Sequence, residues 1–150
     1  MAFKKYWIIS FLVCAVNLLF AQENPVHWSF KAEKIGENEY NIVCSAAIES
    51  KWATYSQYQE SNDGPIPTSI SYTKKEGVEI IGKNFETGHL KVVDDKLFGM
   101  KVSKFIDEAA FTQHVKIAAG TKSIRGFVTY MCCNDEICMP PTDVPFEITF

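Results

Sequence analysis

The sequence has no basic run and no interleaving of arginine with aromatic residues. Lys and Arg number 15 against 18 Asp and Glu, a balance that argues against a nucleic-acid partner. Cys-x-x-Cys pairs are missing, which removes the usual zinc-binding spacing. The three histidines, His27, His89 and His114, fall on separate segments and share no ligand spacing. No Ser-His-Asp order, glycine-rich phosphate loop or paired-carboxylate pattern stands out. Asp94-Asp95 and Asp135-Glu136 read as turn or solvated acids. Long apolar runs are scarce too. The run from Tyr6 to Phe20 is broken by Ser10 and Asn17 and falls short of the ~20 residues that a membrane span needs. The sequence carries no internal repeat, low-complexity tract or interdomain linker.

What the N-terminus does carry is a targeting pattern. Lys4 and Lys5 precede the apolar run, and Ala21 ends it before the polar Gln22-Glu23-Asn24. This predicts a signal peptide over residues 1–21, cleaved after Ala21. Leu19 is larger than the small residue preferred two positions before Ala21. Cys14 does not suit lipid attachment, because Val13 before it is not small and the apolar run continues past it. Cleavage would remove two lysines and no acid, leaving 129 residues with 13 basic and 18 acidic side chains, a formal charge of −5. That length suits one domain, 22–150, with a single core and no stable membrane insertion. Four cysteines would remain, in an exported chain where disulfides persist.

The body of the chain alternates. Val26, Trp28, Phe30 and Ala32 share one parity, as do Tyr40, Ile42, Cys44, Ala46 and Ile48. Ile66, Ser69–Tyr72 and Val78–Ile80 suggest two more strands around a turn at Glu76-Gly77. Val115, Ile117 and Ala119 form another face, as do Ile124, Val128 and Tyr130, and then Phe146, Ile148 and Phe150. Short period-two runs between turn residues predict an all-β antiparallel sandwich or barrel. Asn62-Asp63-Gly64-Pro65 reads as a loop. Ile106 to Phe111 is the one segment with the character of a helical turn.

Chemistry concentrates near the C-terminus, in Tyr130-Met131-Cys132-Cys133-Asn134-Asp135-Glu136-Ile137-Cys138-Met139-Pro140-Pro141. Cys138 could close a small ring with either Cys133 or Cys132. A ring that small stabilises a fold by only about 2 kcal/mol in the chain-entropy description, so redox or metal chemistry explains the cluster better than stability alone. A structural disulfide in a non-redox binding domain stays open as an alternative. So does a Cu(I) site built from these cysteines with Met131 and Met139, since Cu(I) favours thiolate and thioether sulfur. Cys44 stands alone on the apolar parity of its strand and reads as a buried free thiol.

The run Cys133 to Pro141, followed by Val144-Pro145-Phe146, resembles the N-terminal periplasmic domain of the thiol:disulfide interchange protein DsbD. Lys51-Trp52-Ala53-Thr54-Tyr55-Ser56 and Gly64-Pro65-Ile66-Pro67-Thr68 resemble earlier segments of that family. The resemblance runs from about Val26 to Phe150. It implies an immunoglobulin-like β-sandwich in the periplasm that needs no cofactor or metal. It implies thiol:disulfide interchange, a protein-disulfide reductase activity, with electrons taken from a membrane carrier and thioredoxin-like proteins. They pass to periplasmic thiol proteins, including isomerases and cytochrome c maturation factors. Cys138 matches the cysteine that forms the mixed disulfide. Cys133 is favoured as its partner, with Cys132 the alternative. Asp95-Lys96-Leu97-Phe98-Gly99 matches the family's cap loop over the cysteines, with Leu97 where an aromatic is usual and Phe98 as the other candidate shield. A separate membrane electron carrier is expected, because the sequence contains neither such a carrier nor a thioredoxin-like segment.

From Met131 to Asp143 there is no Lys, Arg or His to lower a thiol pKa, while Asp135 and Glu136 act the other way. The expectation is a relay that its partner activates.

Overall fold

The alternating segments form two antiparallel sheets in a computed structural model that describes residues 24–150. The expected signal peptide and its cleavage site therefore lie outside the described residues. Nine strands follow in order: β1 (Val26–Lys34), β2 (Glu39–Ile48), β3 (Ala53–Tyr55), β4 (Ser69–Lys74), β5 (Val78–Asp95), β6 (Met100–Ile117), β7 (Ser123–Tyr130), β8 (Cys132–Cys133) and β9 (Thr142–Thr149). The larger sheet runs β1-β2-β6-β3-β8, with β5 on the other edge of β6. The smaller sheet is β4-β7-β9. No helix among the described residues is long and apolar enough to cross a membrane.

The core follows from the period-two pattern. Ile42, Cys44 and Ala46 from β2 meet Phe111 and Val115 from β6 and Ile124, Val128, Phe146 and Ile148 from the smaller sheet. Trp28 and Phe30 cover its flank, and Phe30 stacks on Phe146 with ring centroids 4.9 Å apart. Each large apolar side chain fully buried contributes roughly 1.5–3 kcal/mol. The turn at Glu76-Gly77 does not make a hairpin. It carries the chain across the sandwich, since β4 pairs with β7 while β5 pairs with β6.

One expectation is corrected. Ile106 to Phe111 is not a helical turn but the middle of β6. Phe105 and Ala109 are both buried four residues apart, a helical spacing. The spacing comes from a bulge: Gly88 pairs with Ala109 and His89 with Ile106, so Asp107 and Glu108 are left over on β6. Asp107 adopts φ 63° there, and its carboxylate lies 2.9 Å from His89 Nδ1. Pairing along β6 overrides the local helical preference of this segment.

The bulge also re-aims the second half of the sheet. Beyond it, Phe105 still faces the main core, whereas Val102, Lys104 and Ile106 face outward. The neighbouring pairs Lys91↔Lys104, Val93↔Val102 and Tyr55↔Lys104 put Lys91, Val93 and Tyr55 on that same outer face. A second, smaller apolar cluster forms there from Tyr55, Val102, Met131 and Cys133.

Candidate functional site

β8 is short, yet it decides the geometry of the cysteines. Thr54 pairs with Cys132 and Ala53 with Cys133. Adjacent residues of a strand point to opposite faces. Cys132 therefore enters the main core, while Cys133 joins the small outer cluster. The two neighbouring sulfurs lie on opposite faces of the sheet.

After Cys133 the chain turns back, so that Cys133 and Cys138 face each other as an antiparallel pair. Asn134 N–H donates to Ile137 O at 2.9 Å, and Met139 N–H donates to Cys132 O at 2.8 Å. At the tip, Asn134 Oδ1 accepts from Glu136 N–H at 2.9 Å and from Ile137 N–H at 2.8 Å. These bonds close a tight hairpin, and a Cys133–Cys138 disulfide with Cα atoms 4.0 Å apart staples it. Its two sulfur-bearing residues differ sharply: Cys133 is 3 % exposed, whereas Cys138 is open to solvent.

Cys132 and Cys44 are free and buried. Burial pushes the Cys132 thiol up to about 11 and the Cys44 thiol up to about 12, so both stay protonated and poorly nucleophilic near neutral pH.

The two earlier segments of the resemblance support β8 from beneath. Thr54 Oγ1 donates to Met131 O at 3.0 Å, and Thr68 Oγ1 donates to Tyr55 O at 2.6 Å. Both threonines are wholly buried, so these bonds satisfy polar groups that would otherwise be costly. Burial, followed by the nearby charge of Asp95, pushes the Tyr55 phenol above its ordinary range, so it stays protonated.

Asp95 to Gly99 forms the tight turn between β5 and β6. Gly99 N–H donates to Asp95 O at 2.8 Å, with Gly99 at φ 65°, a conformation that glycine adopts without cost. The Asp95 carboxylate accepts from Leu97 N–H at 2.9 Å and pairs with Lys104 Nζ at 3.0 Å. This pins the turn to β6. Phe98 folds inward onto the cluster that contains Cys133 and meets Tyr55 edge-on, with centroids 5.8 Å apart. Leu97 instead is 45 % exposed. A cleft between Leu97 and the Asn134-Asp135 tip separates the turn from the hairpin.

Sequence reasoning misses the basic side chains of the site. Lys51, Lys91 and Lys104 share one groove of about 460 Å³ with Cys133. They come from a turn and two strands far apart in sequence, so no local motif could show them.

The sulfur cluster does not converge on one point. Met131 lies with Cys133 in the outer cluster, whereas Met139 packs against the main core. Each histidine faces a carboxylate: His27 with Glu49, His89 with Asp107 and His114 with Glu39. Among the described residues no three His, Cys, Asp or Glu side chains cluster as metal ligands.

The family described as thiol:disulfide interchange protein DsbD, N-terminal, matches residues 20–149. The chain belongs to this family. Solved structures agree at the level of the fold. The reduced N-terminal domain of DsbD from Neisseria meningitidis is 16% identical, over 88% of this chain and 90% of that one, with a TM-score of 0.59. The N-terminal periplasmic domain of ScsB from Proteus mirabilis is 16% identical over 81% of this chain, which spans 44% of that protein, with a TM-score of 0.56. A complex between the DsbD and PilB N-terminal domains of Neisseria meningitidis gives 14% identity, 87% coverage of both chains and a TM-score of 0.54. No curated protein matches the chain. The immunoglobulin-like sandwich of this DsbD family is thus the fold of the chain, and a disulfide-bonded cysteine pair stands on it.

Proposed function

We propose that this chain is an exported, periplasmic electron relay, with residues 1–21 as its signal peptide and 22–150 as its working domain. Cys133 and Cys138 carry the electrons. The asymmetry of the pair supports this reading most: an exposed cysteine is bonded to a buried one at the base of a braced hairpin.

The chemistry is thiol-disulfide exchange. When the pair is oxidised, a donor thiolate attacks the accessible Cys138 sulfur. The Cys133–Cys138 bond breaks, and Cys133 leaves as a thiolate that takes up a proton. The donor's second thiolate then attacks the donor's first sulfur in the mixed disulfide, and Cys138 leaves as a thiolate that takes up a proton. Two electrons enter the domain and the donor leaves as a disulfide. In the forward direction, the Cys138 thiolate attacks a target disulfide and one target sulfur leaves as thiolate. Cys133 then attacks Cys138, restoring the ring and releasing the second target thiolate. Electrons and protons balance without a cofactor.

Burial of Cys133 and the Phe98 turn direct partner attack to the exposed Cys138 and keep Cys133 for the resolving step. Thioredoxin-like proteins and a separate membrane electron carrier are the proposed partners, in keeping with the family and with the DsbD–PilB complex of Neisseria. Delivery to cytochrome c maturation is one proposed destination.

Equilibration with a thioredoxin-like protein of known potential tests the reading. The pair should equilibrate reversibly, with one dithiol oxidised for each disulfide reduced. A ring that stays intact across the potentials of such partners, roughly −270 to −120 mV, would mark it as structural.

A further inference from the structure

The groove beside Cys133 has a charge pattern that the exchange chemistry does not itself require. Lys104 is held by Asp95 at 3.0 Å, and Asp107 faces His89 at 2.9 Å. Lys51 and Lys91 have no ion-pair partner among the described residues, and Asp135 is the one other acid on the groove wall without one. Three lysines thus line the groove against two acids, Asp107 and Asp135, on a chain whose formal charge is −3. Lys51 stands out further. It adopts φ 72° in the turn closed by Trp52 N–H and Glu49 O at 3.0 Å. Glycine is the relaxed residue in that conformation, and a lysine held there carries strain that clusters at functional sites. Its side chain lines the groove, together with the apolar Trp52, Val93 and Ile106.

From these features we infer that the groove is the docking site for the reactive-cysteine segment of the partner, and that this segment carries carboxylates. Lys51 and Lys91 recognise the acidic side chains, while the apolar floor accepts the neighbouring residues. Docking there brings a partner thiol alongside the hairpin. The inference rests on the exchange reading above and adds a chemical class of partner to it. Opposite charges across an interface mainly raise the encounter rate, and salt screens that effect.

Two reduced cysteine peptides of equal length serve as probes, one with aspartates and one with lysines flanking the thiol. The reduction rate of the Cys133–Cys138 disulfide is followed by stopped flow at low salt and at high salt, with neutral dithiothreitol as reference. At low salt the acidic peptide should react about tenfold faster than the basic one, the low end of electrostatic steering. High salt should collapse that ratio, as should the double variant Lys51→Gln, Lys91→Gln. A control pair at the far end of the sandwich, Lys34→Gln, Lys122→Gln, should keep it, and circular dichroism checks that both variants fold. Equal rates for the two peptides, or a ratio unchanged in the Lys51/Lys91 variant, would overturn the docking site while leaving exchange intact. A ring that neither dithiothreitol nor either peptide opens in the folded protein would instead overturn the exchange reading.

Discussion

Phe98 is the side chain whose removal most directly exposes the logic of the cap. It is half-buried, so its burial contributes about 1 kcal/mol, half of what a fully buried aromatic gains. Its edge-on contact with Tyr55 at 5.8 Å adds about 1 kcal/mol. Together these hold the turn against the cluster that contains Cys133 by about 2 kcal/mol. Since 1.4 kcal/mol is a factor of ten, Phe98→Ala should raise the open fraction about thirty-fold. The assay reduces the protein, removes the reductant and alkylates with iodoacetamide at pH 8. Mass spectrometry then follows Cys133 and Cys138 separately. Cys133 should react about thirty-fold faster in the variant, where opening precedes the chemistry. Cys138 is already exposed and should change by less than about threefold. Leu97→Ala is the matched control, because Leu97 is 45 % exposed and lies outside the cluster. Its rates should stay within about twofold of the parent. A Cys133 rate unchanged by Phe98→Ala, or raised equally by Leu97→Ala, would refute the cap.

Three further perturbations test other parts of the account. Asn134→Ala removes both side-chain bonds at the hairpin tip and should loosen the thiols of the reduced pair. The disulfide should then become easier to reduce by about 20 mV, read in a redox buffer series. Gly88→Ala would press a methyl group onto the Glu108 carbonyl oxygen at φ 133°. It should cost about 2 kcal/mol or more in urea unfolding, because both the φ and the nearby backbone of Glu108 and Ala109 oppose a side chain there. The buried thiols set an alkaline limit. Cys132 and Cys44 have raised folded values, so they bind protons more tightly in the native state. Their contribution is complete below pH 9 and is lost as pH rises toward 11 and 12. Cys132→Ala should therefore flatten the fall of the urea midpoint between pH 9 and 11.

Strands with clean alternation are legible in the sequence, because one face of each meets the core. β1, β2, β7 and β9 follow the parity of their apolar residues. The middle of β6 is not legible, because the bulge at Asp107 shifts parity and creates a helix-like spacing between Phe105 and Ala109. Most of β5 is similarly hidden: it is an edge strand, and Phe85, Leu90 and Val92 are exposed. The cysteine hairpin stands out because its chemistry lies within a few residues. The opposite facing of Cys132 and Cys133 follows only once β8 is seen to pair with β3. The lysines of the groove depend wholly on tertiary pairing. Lys91 and Lys104 become neighbours through strand register, and Lys51 joins them through its turn. The same register explains why the Thr54 and Thr68 segments accompany the cysteines, since their hydroxyls hold the strands beside the hairpin.

The central claim, a relay that works through Cys138, is tested most directly by trapping its mixed disulfide. The Cys133→Ala variant is mixed with a thioredoxin-like protein whose resolving cysteine is replaced and whose remaining thiol is activated by Ellman's reagent. Intact mass spectrometry should show a one-to-one disulfide complex through Cys138, while Cys138→Ala should give little complex because Cys133 is buried in the outer cluster. Equal trapping by the two variants, or a bond through Cys132 or Cys44, would contradict the account.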